Sequence, residues 1–218
     1  MNELLLPLFP LELVLLPEER LPLHIFEDRY KQMIGECLQA QGQGSGQQEF
    51  GIVLAKEQEI HSTGCTARIA EVTQRYDDGR MDILTVGQRR FEILYTNEDR
   101  SYLRGGVEFF DDEPGDDAPP AADADSAIRQ FRSMAGRLRR VDDAATEFKQ
   151  PYRHLSFQMA GPLPLTPEFK QRLLVNRHEK ERLRELTKAM AQMVAEFDYL
   201  QEVGRKAGGN GHVRHPKR

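Results

Sequence analysis

The sequence predicts an α+β fold, a small β-barrel with one helix inserted early and a helical bundle after it. Three observations lead there. Apolar residues alternate with strand periodicity through residues 50–110, the apolar period becomes helical beyond residue 126, and a stretch rich in Asp, Pro and Ala separates the two regimes. The expected division is a barrel over 1–113, an acidic Pro/Ala linker over 114–125, a bundle over 126–203 and a disordered basic tail over 204–218.

The opening segment, LPLFPLELVLLPEERLPLHIFEDRY, is apolar yet interrupted by Pro7, Pro10, Pro17 and Pro22. Leu4, Leu6 and Leu8 can share one face of a first strand, and Leu11, Leu13 and Leu15 repeat the alternation for a second. Leu21-Pro22-Leu23 begins a third extended piece, each proline falling at a strand end or edge. Phe26, Tyr30, Met33, Ile34 and Cys37 then recur at helical spacing, with Glu27 and Asp28 placed to complement the helix dipole. QGQGSGQQ, residues 41–48, reads as a flexible loop.

Residues 50–55 form a short apolar strand, and 63–76 a long one in which Ala67, Ile69 and Glu71 oppose Arg68, Ala70 and Val72. Asp77-Asp78-Gly79-Arg80 is a hairpin signal between strands. The return strand, 81–96, carries Gly87 as a bulge or bend where it changes sheet, and a turn at 97–100 leads into 102–110. Strands of this length joined by tight turns close into a barrel.

Residues 111–126 have little to bury. Ile128, Phe131, Ala135, Leu138 and Val141 then define an amphipathic helix with Asp125 or Ser126 as its cap. Pro151 opens a short helix with Tyr152, Leu155 and Met159, ended by GPLPL. Thr166-Pro167 starts a third through Phe169, Leu173 and Leu174. Asn176 and Glu179 have capping-box spacing for a fourth, whose stripe is Leu183, Leu186, Met190, Met193, Phe197 and Leu200.

The N-terminus lacks the positive n-region and unbroken apolar core of a secretory signal, and no stretch is apolar for the roughly 18 residues a membrane span needs. The formal net charge of -5 argues against a dedicated nucleic-acid binder. With only Cys37 and Cys65, a disulfide framework is excluded and a cytoplasmic location is expected.

Catalytic and cofactor motifs are thin. GQGSGQ has glycines but no Gly-Lys-Ser/Thr, and no Rossmann fingerprint occurs. His61 with Cys65, and His212 with His215, lack the second pair of ligands that a closed metal site requires. No cofactor and no metal are expected. Arg29 and Arg90, beside apolar runs, have two readings: ion pairs that fix the fold, or anchors for a ligand carboxylate. Met190 and Met193 are either helix core or an adaptable protein-binding face.

The opening segment, with its Pro-Leu-Phe-Pro-Leu, Leu-Pro-Leu and Phe-Glu-x-Arg-Tyr features, closely resembles the start of the N-terminal domain of Lon proteases. GIVLA at Gly51, GCTARIAEV at Gly64 and VGQRRFEIL at Val86 follow in that domain's order, and the likeness continues through LPLTPEFKQRLLVNRHEKERLRELTKAMAQM. The resemblance implies a PUA-like barrel followed by a helical bundle, and a role in recognising substrate proteins and assembling oligomers. The ATPase phosphate loop and the Ser-Lys protease domain are missing from this sequence, so it resembles a stand-alone substrate-binding domain and not an enzyme.

The expected function is therefore non-catalytic binding of unfolded or apolar segments of other proteins, a protease among the partners, with weak self-association. Phe26, Tyr30, Arg90, Met190 and Met193 are the candidate contact residues. The alternative is RNA binding by a PUA-like barrel; an enzyme acting on a small molecule comes third.

Overall fold

A computed structural model describes residues 5–44, 48–57, 59–115, 118–138, 147–148, 150 and 152–209. Six strands form one sheet: β1 (Leu6–Leu11), β2 (Arg20–Ile25), β3 (Glu49–Lys56), β4 (Glu59–Arg75), β5 (Met81–Asn97) and β6 (Arg104–Phe110). Their order is β2-β5-β4-β3-β1-β6, and β5 also pairs with β6, so five strands close a ring and β2 lies along its outside. Only β1 and β3 run parallel. A parallel pair needs a long crossover, here supplied by β2 and the helix α1 (Asp28–Gln43).

Strand β5 does not change sheet; along the edge opposite β4 it serves two partners in turn. Met81 to Val86 pair with β2, and Arg90 to Asn97 pair with β6. The exchange falls at Gly87, where the register with β4 shifts between Cys65 and Ala67. The chain before β2 presses against this point, so a Cβ at Gly87 would stand 2.1 Å from the Leu16 carbonyl oxygen. Only glycine admits that approach. The Asp-Gly hairpin also forms as expected, with Gly79 at φ 82 between β4 and β5.

Among the described residues four helices follow: α2 (Ala121–Leu138), α3 (Leu155–Ala160), α4 (Pro167–Val175) and α5 (Glu179–Gly209). The ring interior is filled by Leu6, Leu8, Val53 and Phe91. A larger cluster runs from the outer faces of the strands, among them Phe9, Phe50 and Ile52, through α1 and into all four later helices. At about 25 cal/mol per Å² this shared apolar burial is the main force holding helices to barrel.

Several expectations need correction. Leu11, Leu13 and Leu15 do not build a second strand; after β1 the chain turns irregular and buries Val14, Leu15 and Leu16 against β5 at Gly87. Phe26 precedes α1 and is exposed, since the helix starts only at Asp28. That helix continues through Gln41, Gly42 and Gln43 before Gly44 caps it, shortening the expected loop. The alternation in β4 holds from Ala67 to Ala70, then a bulge between Ile69 and Glu71 turns Val72 partly inward.

The linker is also shorter than expected. Asp112 is buried, and α2 begins at Ala121 with Ala124 fully buried, so Asp125 and Ser126 lie within the helix and not at its cap. Pro167 begins α4 behind the Thr166 cap, whose Oγ1 accepts from the Phe169 amide at 3.3 Å, as the sequence indicates. Asn176, by contrast, ends α4 and does not cap α5. The last helix runs past residue 203 to Gly209, into the segment expected as a disordered tail. Leu4, Val141, Pro151, His212 and His215 lie outside the described residues.

Candidate functional site

Where the helices meet the barrel, four charged side chains are buried together. Alternation along β5 sends Phe91 into the ring and its neighbour Arg90 outward beneath the helices. The chain leaving β6 delivers Asp112, and the first turn of α5 delivers Glu179 and Arg182. Ser156 arrives from α3. All four charged groups are nearly inaccessible.

Asp112 is the hub. Arg182 grips it with two bonds, Nη1 to Oδ1 at 2.5 Å and Nη2 to Oδ2 at 2.6 Å, and Arg90 Nη2 reaches the same Oδ1 at 2.5 Å. Arg90 also donates to the carbonyls of Leu174 and Asn176, which closes the α4–α5 corner over the strand. Glu179 accepts from Arg182 at 2.5 Å and from both the Ser156 amide and hydroxyl at 2.8 and 2.6 Å. Two guanidinium groups face two carboxylates, which is the balance that buried charge demands.

The surroundings act on protonation in opposite senses. Burial would raise the Asp112 carboxyl, but Arg182 and Arg90 outweigh it and hold it below the usual range. Burial prevails at Glu179 and raises it, against Arg182 and Ser156. His154, backbone left-handed at φ 53, lies 3.8 Å from Glu18 and 4.0 Å from Asp112. Those carboxylates raise its pKa, Glu18 foremost, against burial and Arg182.

Two clefts flank this cluster. Arg90 is stacked between Phe110 and Phe157, 4.9 and 5.3 Å from their ring centres, and each ring lines one cleft. The first, about 320 Å³, is walled by Phe148, Phe157, Gly161 and Pro162, with Glu18 and Glu147 at its rim. The second, about 490 Å³, presents Phe109, Phe110 and Val175 beside Glu92, Glu108 and Arg177. Further ties steady the walls: Lys170 to Glu19 at 2.6 Å and the Gln171 amide to the Thr63 carbonyl at 3.0 Å.

The expected contact residues are dispersed. Arg90 is in the ion cluster, which matches the fold-fixing reading of that arginine. Tyr30 is buried against Phe9 with ring centres 4.1 Å apart, and Met190 is fully buried. Met193 is half-buried, while Phe26 is exposed and stacked on His24 at the far end of β2. Arg29 pairs with Glu27 at the surface. Asp112, Arg182 and Ser156 were not singled out by the sequence, and Glu179 only as a capping-box residue. A signal existed: continuing the stripe of α5 backwards from Leu186 and Leu183 lands on Arg182 and Glu179, charged residues on a buried face.

The cysteines are not poised for nucleophilic chemistry. Burial pushes the Cys37 thiol up to about 12 and raises Cys65 as well. Among the described residues no cluster of His, Cys, Asp or Glu could hold a metal, and no helix is long and apolar enough to cross a membrane.

A closed ring of strands, helices joined to it over a buried ion cluster, and open clefts at the seam define an α+β fold. Its family follows from comparison with known proteins: residues 5–192 match the ATP-dependent protease La (LON) substrate-binding domain, and the chain belongs to that family. It is similar to the crystal structure of a Lon N-terminal domain protein from Xanthomonas campestris, with 25% identity and a TM-score of 0.63 over 84% of this chain and 96% of that one. The N-terminal domain of a Mycobacterium avium complex Lon protease shares the fold, with a TM-score of 0.63 over 86% of this chain and 98% of that one at 20% identity.

Proposed function

We propose that this chain is a non-catalytic protein-binding module that takes unfolded or apolar polypeptide segments into the cleft between barrel and helices. The observation that carries the reading is the first cleft, in a chain of the Lon substrate-binding family: it is walled by Phe148, Phe157 and Pro162, and Phe157 is held against Arg90 and Arg182 of the buried ion cluster. Apolar walls gain by taking up apolar side chains, and a preorganised wall loses little entropy in doing so. A protease is among the partners this reading allows, as is a second copy of the chain.

The RNA alternative gains less support. Near the exposed Phe26 and Tyr76, Arg29 is matched by Glu27, Lys31 by Asp28 and Arg80 by Asp78.

The test is a titration of the protein against a labelled client kept unfolded by reduction and neutral alkylation, with the client's integrity followed on a gel. Saturable binding without cleavage is expected. Absence of binding across several such clients would overturn the proposal, and cleavage by the pure chain would overturn its non-catalytic part.

A further inference from the structure

A second groove, about 270 Å³, lies away from the seam between the start of α2 and the outer face of α5. Its α5 wall carries Lys180, Arg184 and Lys188, all exposed. They are successive members of one i, i+4 row and span about 12 Å along the helix. Like charges at that spacing repel by a few tenths of a kcal/mol per pair. None of the three forms an ion pair among the described residues, in a chain whose net charge is -5. Arg177, at the second cleft, is by contrast paired with Glu113. The row on α5 thus presents three cations with no partner at ion-pair distance among the described residues.

We infer that this groove docks an acidic segment of a client polypeptide, a chemistry that rests on the protein-binding reading above and narrows it. Side-chain carboxylates of the client would meet the row of cations, while the groove floor, Leu183 and Ala127, receives an intervening apolar side chain. The opposite wall carries Asp123, which repels any anion set against it and so confines the client's carboxylates to the α5 side; a continuous phosphate backbone has less freedom to avoid it than carboxylates spaced by neutral residues. Exposed pairs of this kind govern association rate and specificity more than raw affinity, so binding through the groove is salt-sensitive.

The experiment compares two labelled peptides of equal length and apolar content, one with Asp and Glu and one with Asn and Gln in their place, alongside the neutral unfolded client. Each is titrated against the wild-type chain and against Lys180→Gln, Arg184→Gln and Lys188→Gln combined. The acidic peptide should bind the wild-type chain tighter than the neutral one, weaken with salt, and lose about tenfold in the triple variant. The neutral unfolded client should bind both proteins alike. Should the triple variant not fold by circular dichroism, Lys188→Gln alone is read, with an expected loss of about two- to threefold. Equal binding of the two peptides, or an acidic peptide indifferent to the substitutions, overturns the inference. So does a single-stranded oligonucleotide that binds tighter than the acidic peptide and is lost in the same variant. If the neutral client fails on both proteins while the acidic peptide behaves as expected, the cleft reading falls and the groove stands.

Discussion

Arg182 and Asp112 meet as a parallel two-bond pair, with side chains 0% and 2% exposed, at the one place where the end of the barrel, α3 and α5 all converge. The pair contributes geometry more than energy. Desolvating two ions is costly, and a well-packed apolar replacement of such a pair is often as stable. What it does enforce is direction, since a two-bond guanidinium fork accepts a carboxylate in one plane only.

Removing one partner is therefore severe. Asp112→Asn leaves Arg90 and Arg182 facing each other with only Glu179 to balance them, and should cost about 3–5 kcal/mol in urea unfolding. A loss under about 1 kcal/mol would show that the cluster is more hydrated than its burial indicates.

His154 predicts a pH dependence with a definite sign. Its pKa is raised in the folded chain, so protonation favours the native state. That contribution is complete below the ordinary imidazole value of 6.5 and disappears as pH rises through the raised one. The groups facing it are Glu18, Asp112, Arg182 and the Phe157 ring. Thermal melts of wild type and His154→Gln should differ more at a pH of about 5.5 than at about 8.5. A difference independent of pH would remove the electrostatic explanation.

Gly87→Ala tests the partner exchange in β5. Its methyl group would collide with backbone, the Leu16 carbonyl, and not with a side chain able to swing away. A loss of about 2–3 kcal/mol is expected in the same unfolding measurement.

Phe148→Ser probes the proposed cleft. This ring packs edge-on against Phe131 at 5.4 Å yet lines the cleft, and removing an aromatic wall should weaken unfolded-client binding about tenfold. Phe26→Ser, on a ring 57% exposed at the other end of β2, should leave stability within about 0.5 kcal/mol and client binding unchanged.

The legible part of this fold was local. Thr166-Pro167 and the Asp-Gly turn are written in neighbouring residues, and both form as read; the irregularity at Gly87 forms too, but it exchanges partners within one sheet where a change of sheet was expected. Leu11, Leu13 and Leu15 misled because strict alternation marks half-buried residues, whereas strand formation also needs a ladder partner; Leu11 has one in Leu54 and ends β1, and no strand pairs with Leu13 or Leu15. Glu179 misled in another way. Its spacing from Asn176 fits a capping box, but Ser156 and Arg182 offered the carboxylate a buried, fully bonded position instead. Asp112 looked like one more acid in a solvated linker because its partners, Arg90 and Arg182, lie far from it in the chain. The clefts share that cause: each is walled by residues from segments that only the folded chain brings together.

The position of β1 has a consequence for biosynthesis. This strand pairs with β3 at Gly51 and with β6 at Gly105, so both its edges wait on residues translated much later. Until Phe110 has emerged, a nascent chain holds the apolar Leu6, Leu8 and Phe9 without their final neighbours, and slow non-local closure makes that interval a window for chaperone capture.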